Sequence, residues 1–208
     1  MDVREIVAVI SANAGDVDHP QHHTPQSVPC DYYVFNGNRL PPRLEAKIPK
    51  CFGWQLAQNY NYYLWLDGSV SLNHPDAVKW LLDNCKDMVT LKHPNHIDIR
   101  QEARYTRKGV KQKADYLYKR YKDDHVQELY NRIAGDTDYR DDKLYIGGIF
   151  MYKNTQAVRD ALKDWWYYIT RYSLQDQISF PYVTRKLDVT MLPDIYDESP
   201  YFMVMKHK

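Results

Sequence analysis

The sequence predicts an α/β fold: one domain with a mixed, mostly parallel central sheet flanked by helices. Three observations carry this. Short apolar runs rich in β-branched and aromatic residues recur at residues 5–11, 32–35, 62–66, 88–91 and 144–152, each of strand length. Segments with helical spacing lie between them. A chain of 208 residues, 44% hydrophobic and 26% charged, can bury one core without a disulfide or structural metal.

Taken in order, residues 5–11 (EIVAVIS) read as a buried first strand ending in Asn13, Ala14, Gly15 and Asp16. Loops at such strand ends commonly meet ligands, so Ser11 and Asn13 are candidates for binding. Residues 18–29 are rich in His and Pro; His19, His22 and His23 have no nearby acidic partner and read as loop. A strand at 32–35 stops at Asn36-Gly37-Asn38. From 43 to 58, Leu44, Ile48, Phe52 and Leu56 fall four apart, predicting a helix with Arg43, Lys47 and Lys50 turned elsewhere. Pro49 must then sit near a helix start or mark a kink.

The strand at 62–66 (YYLWL) ends abruptly at Asp67-Gly68-Ser69. Asn73 is expected to cap a helix whose buried stripe is Ala77, Val78, Leu81, Leu82 and Cys85. The strand at 88–91 opens into Lys92-His93-Pro94. Residues 100–122 carry nine basic residues against two acidic ones, with Tyr105, Tyr116, Tyr118 and Tyr121 interleaved, and read as helix broken near Gly109. An acidic stretch at 123–142 balances them. Gly147 and Gly148 lie inside the strand at 144–152, where the backbone must approach something closely. A helix capped by Asn154 or Thr155 follows, with Val158, Ala161, Leu162, Trp165 and Ile169 as its core face.

Composition excludes several classes. A formal net charge of +1 is not that of a chain built to coat nucleic acid or membrane, so any basic site is local. Cys30, Cys51 and Cys85 are odd in number and widely spaced, which supports neither a disulfide framework nor a zinc knuckle and favours a reducing compartment. The first apolar run spans about six residues against the roughly 20 that a membrane helix requires. The expected location is the cytoplasm of a bacterium or a virus-infected host cell, with no membrane span.

Four features can carry chemistry. Asp67, at the exit of an apolar strand, can hold a divalent cation that bridges nucleotide phosphates, or can cap a turn with Gly68. Asp176 and Gln177 stand side by side in Gln175-Asp176-Gln177-Ile178-Ser179-Phe180-Pro181 and can act in a site or cap a helix. Arg43, Lys47 and Lys50 can neutralise phosphate or solubilise a helix face. His207 lies in the strand-like tail 203–207 and can be a ligand or part of a frayed end.

The order of Arg43-Leu44-Glu45-Ala46-Lys47-Ile48-Pro49-Lys50, then residues 62–69, residues 93–100 with Glu102-Ala103, and residues 171–183 with their Asp-Gln-Ile-Ser-Phe core resembles the plant mucilage and pollen-tube glycosyltransferase-like domain family. The resemblance spans residues 43–183. It implies a single GT-A-like domain over 1–208, with a nucleotide-sugar-binding half over about 1–92 and an acceptor half over about 93–208. It implies transfer of a hexose or pentose from a nucleoside-diphosphate sugar to an acceptor hydroxyl, assisted by Mn²⁺ or Mg²⁺. Donor contacts fall to Ser11, Asn13, Arg43, Lys47, Asp67, Gly68, Ser69, Gly147 and Gly148; Asp67 and His207 become metal ligands; Asp176 and Gln177 become the catalytic pair. Ser69 stands where the wider class has a second acid. Trp65, Tyr145 and Tyr182 are expected as apolar walls that exclude water.

Arg107, Lys108 and Lys111 of the basic segment are the expected acceptor contacts, with the acceptor a glycan or DNA whose modified bases carry hydroxyls. A binding module for nucleic acid without catalysis is the alternative, resting on the same segment. A metal-dependent phosphohydrolase would want clustered carboxylates, which Asp67 lacks in sequence.

Overall fold

The computed structural model describes residues 6–195 and 197–205. His207 lies outside the described residues. The elements run β1 (Val7–Ala12), β2 (Cys30–Phe35), α1 (Pro42–Glu45), α2 (Lys47–Leu56), β3 (Tyr62–Leu66), β4 (Val70–Leu72), α3 (Ala77–Asp83) and β5 (Met88–Lys92). Then come α4 (Ile99–Lys111), α5 (Asp115–Tyr121), α6 (Val126–Ala134), β6 (Tyr145–Lys153) and α7 (Gln156–Arg171). A single 3-10 turn (Asp176–Ile178), α8 (Phe180–Val183), β7 (Val189–Leu192) and β8 (Phe202–Val204) complete the chain.

The main sheet has the order β2-β1-β3-β6-β5-β7. β1 pairs in parallel with β2 and β3, and β5 with β7, while β6 runs antiparallel to both of its neighbours. This is the mixed, mostly parallel sheet expected of a GT-A-like domain. β4 and β8 form a separate antiparallel ribbon.

Both faces of the central strands β1, β3, β6 and β5 are covered, which is why they read as continuous apolar runs, while the edge strands β2 and β7 are partly exposed. Ile10, Tyr63, Trp65, Phe150 and Tyr152 face one core, where Trp165 of α7 stacks on Phe180 at 4.2 Å. Val9, Leu64, Leu66 and Met151 face the other, closed by Val78 and Leu81 of α3 and by Leu72 and Phe202 of the ribbon. No helix among the described residues is long and apolar enough to cross a membrane.

Several local expectations are corrected. The helix expected over 43–58 is two, α1 and α2, and α2 is kinked at Phe52 (φ −124°). Pro49 falls in the first turn of α2, where its missing N–H costs nothing. The expected stripe is not the buried one: Leu56 is 46% exposed, whereas Pro49, Lys50, Cys51 and Gly53 are buried. Gly53 packs against Ile10 on β1, which draws Lys50, one turn earlier, inward with it.

Asn73 does not cap α3. Its N–H bonds to the Tyr201 carbonyl, because β4 intervenes and pairs this stretch with the tail, and Asp76 precedes the helix instead. Gly109 does not break the basic helix. It lies buried in α4 where a side chain would collide with Leu117 of α5, and the break comes at Gln112–Ala114, with Lys113 in the left-handed region (φ 53°). Within the acidic stretch, Val126, Leu129 and Ile133 bury one face of α6. Thr155 caps α7, accepting from the Val158 N–H at 3.4 Å, and the predicted core face is buried at all five positions.

Candidate active site

A cleft of about 1040 Å³ opens at the carboxyl ends of β1 and β3 and the start of β6. Crevices of this kind form where neighbouring strands depart in different directions. Asp67 extends β3 by one step, its N–H bonding to the Gly148 carbonyl at 2.8 Å. The His- and Pro-rich loop straps this turn: Gln21 Nε2 donates to the carbonyls of Asp67 (3.2 Å) and Val70 (2.6 Å). Gly68 has room for no side chain, since a Cβ there would lie 2.6 Å from the Ala12 carbonyl oxygen and against the Asp18 carboxylate.

The floor of the cleft is a charge cluster. Asp176 Oδ2 accepts from Lys47 Nζ at 2.6 Å and Lys50 Nζ at 2.5 Å, and Lys50 reaches Asp67 Oδ1 at 3.4 Å. Asp67 Oδ1 also accepts from Trp65 Nε1 at 2.8 Å. Lys50 is 1% exposed. Burial works against its charge, but Asp176 and Asp67 outweigh that and hold its pKa above the ordinary lysine value. Burial likewise opposes charge on Asp176, and the two ammonium groups overcome it, holding the carboxyl well below the usual carboxylate range. At Lys47 burial wins, and its pKa is lowered despite Asp176.

Gly147 and Gly148 roof this cluster. A Cβ on Gly147 would stand 3.1 Å from Asp176 Oδ1, and one on Gly148 3.2 Å from Asp67 Oδ2. The double glycine of β6 therefore brings bare backbone close to Asp176 Oδ1 and Asp67 Oδ2, where a side chain would crowd both carboxylates.

A second network flanks the first. Glu102, 3% exposed on the inner face of α4, contacts His96 Nδ1 at 2.5 Å and accepts from Gln175 Nε2, with His93 Nε2 at 3.8 Å. Gln175 Oε1 accepts from Tyr121 Oη at 2.7 Å, and Gln175 Nε2 reaches Gln177 Oε1 at 3.3 Å. One ligand atom from each of His93, His96 and Glu102 lies within 4.8 Å of the others, a spacing that can hold a metal ion. The hydrogen bonds favour a proton instead. His93 Nδ1 accepts the backbone N–H groups of Asn95 (3.2 Å) and His96 (2.9 Å), so the neutral ring carries its proton on Nε2, the atom facing Glu102. Burial lowers the His93 pKa, against Glu102, and keeps the ring neutral.

Of the residues singled out from sequence, Arg43, Lys47, Asp67, Gly68, Ser69, Gly147, Gly148, Asp176 and Gln177 line this one cleft. Ser11 and Asn13 do not. Ser11 is 2% exposed with its Oγ unpartnered, and Asn13 folds its own loop, bonding to the N–H and carbonyl of Asp18. Arg107, Lys108 and Lys111 are exposed on α4 and do not line it. Trp65 borders the cleft although it is 3% exposed and packed in the core, whereas Tyr145 and Tyr182, 1% and 5% exposed, belong to the core and do not border it. Sequence reasoning assigned no role to Asp18, His93, His96, Glu102 or Gln175; the only signal was that the last four fall in the sequence blocks that carry the family resemblance.

A divalent cation fits this donor set in one way. Asp67 Oδ1 is taken by Trp65 and Lys50, which leaves Oδ2 as a hard ligand in the cleft that Ser69 also lines. One carboxylate plus substrate phosphates and water is a usual Mg²⁺ arrangement.

A family model described as TOD1/MUCI70, glycosyltransferase-like domain, matches residues 36–207. No curated protein matches the chain.

Proposed function

Because the chain belongs to the TOD1/MUCI70 glycosyltransferase-like domain family, we propose that its cleft moves a sugar from a nucleoside-diphosphate sugar to a hydroxyl of a glycan acceptor. The observation that carries this reading is the convergence of Lys47, Lys50, Asp67 and Asp176 beneath the bare backbone of Gly147 and Gly148. A ligand entering there meets two carboxylate oxygens whose other halves are already anchored.

Each group then has a distinct task. Asp67 Oδ2 and Ser69 would hold Mg²⁺ or Mn²⁺, and that cation would supply charge stabilisation for the leaving diphosphate. Lys47, the less buried of the two lysines, adds positive charge at the same end. Asp176 is a poor base, since two ammonium groups stabilise its charged form, so Oδ1 serves as a fixed acceptor for donor-sugar hydroxyls. Gln177 is held by Gln175 at the acceptor end and orients the reacting groups. Trp65 supplies an apolar wall that keeps water from the sugar.

The test is a panel of sugar nucleotides with Mn²⁺ or Mg²⁺, read by release of nucleoside diphosphate. One donor should be hydrolysed slowly without acceptor. If none is turned over or bound, the reading fails.

A further inference from the structure

We infer that the wall of the cleft formed by α4 and α5 is a subsite for an uncharged saccharide ring, with Tyr105 and Tyr116 as stacking platforms. This inference rests on the proposed transfer reaction and names the chemistry of its acceptor. From α4 only Glu102 and Tyr105 line the cleft, and from α5 Tyr116, Leu117, Arg120 and Tyr121. Tyr105 and Tyr116 are 54% and 59% exposed; Tyr32 and Tyr167 are exposed too, but do not line the cleft. They border the same cleft that Gln177 lines, and Tyr105 connects to Gln177 through His96, Glu102 and Gln175.

The two rings are braced. Arg120 lies over the Tyr116 ring at 4.3 Å and donates to its hydroxyl at 2.6 Å. His96 packs against Tyr105 at 5.1 Å and is itself held by Glu102. A rigid aromatic face with negative potential suits the C–H face of a pyranose, whose hydroxyls remain free for hydrogen bonds at the rim.

Charge argues against a polyanion in this place. Each cation of the cleft already has a partner: Lys47 and Lys50 on Asp176, Arg120 on Tyr116, and Arg43 over the Tyr121 ring and on the Arg120 carbonyl. Arg107, Lys108 and Lys111 are exposed on α4 and do not line the cleft. An acceptor bearing phosphates or carboxylates would draw Arg120 off the Tyr116 ring and Arg43 off the Tyr121 ring, whereas a neutral glycan leaves both braces in place.

The experiment titrates the full chain with uncharged pentasaccharides (cello-, xylo-, manno- and galacto-series), with an oligogalacturonide and with a short DNA duplex, at low and moderate salt. At least one uncharged pentasaccharide should bind with no salt dependence. Tyr105→Ala and Tyr116→Ala should each weaken it about tenfold, Tyr105→Phe should stay near wild type, and neutralising Arg107, Lys108 and Lys111 together should change nothing. Binding of the anionic probes alone, no binding by any probe, or an affinity indifferent to both alanine variants would overturn the subsite. Nucleoside diphosphate binding, measured on the same samples, separates the two readings: if it persists while the saccharides fail, only the subsite falls; if it is lost while a Tyr105-dependent saccharide binds, the transfer reaction falls and the subsite stands.

Discussion

Lys50 is a charge at the centre of a buried cluster, and its energetics set what can be changed there. Removing one partner from a buried ion pair typically costs about 3–5 kcal/mol, because the other charge is left without compensation. Asp176→Ala should therefore destabilise the fold by about that amount in chemical denaturation, while Asp176→Asn, which keeps an acceptor, should cost less. The carboxyl of Asp176 titrates well below its ordinary value. Its contribution is thus complete above pH about 4, the unfolded value, and is lost as the pH falls toward the folded one. The stability gap between wild type and Asp176→Asn should stay constant from pH 7 to 5 and close under stronger acid. Asp67 behaves differently: its side chain is 45% exposed, so Asp67→Asn should leave the melting temperature nearly unchanged while lowering turnover about 100-fold or more.

At the scale of elements, the turn after β3 and the double glycine of β6 form one unit. Gly68→Ala would drive a methyl into the Ala12 carbonyl and Asp18, and should destabilise by about 1–3 kcal/mol. Gly148→Ala is milder, its Cβ 3.2 Å from Asp67 Oδ2, and should weaken nucleoside diphosphate binding with little loss of stability. Isothermal titration beside a denaturation curve checks both. The central strands β1, β3, β5 and β6 were legible because both of their faces are buried and each reads as an apolar run, whereas the partly exposed edge strand β7 and the short β4 were not read as strands. Asp67 was legible for the converse reason, as a carboxylate where such a run stops. Lys50 was not: periodicity assigns charged residues outward, and the carboxylates that draw this one inward lie 17 and 126 residues further along the chain. Glu102 was hidden in the same way, its inward position in α4 explained only by His96 and Gln175. The α6 stripe of Val126, Leu129 and Ile133 was readable at helical spacing but masked by the acidic residues around it.

Across the whole molecule, the two halves of the chain share one sheet. β3 of the first half lies beside β6 of the second, and β5 is clasped between β6 and β7. Neither half can keep its strand partners alone. Thermal unfolding followed by far-ultraviolet circular dichroism and by tryptophan fluorescence should give coincident single transitions. The same interleaving builds the cleft, since Lys47, Lys50 and Asp67 come from one half and Asp176 and Gln177 from the other.

The proposed division of labour across the cleft is tested most directly by measuring single-turnover release of nucleoside diphosphate beside nucleoside diphosphate affinity, for wild type, Asp67→Asn and Gln177→Ala. Asp67→Asn should lose both release and affinity; Gln177→Ala should lose release while affinity stays near wild type. Wild-type release in Asp67→Asn, or equal losses of release and affinity in Gln177→Ala, would contradict the account.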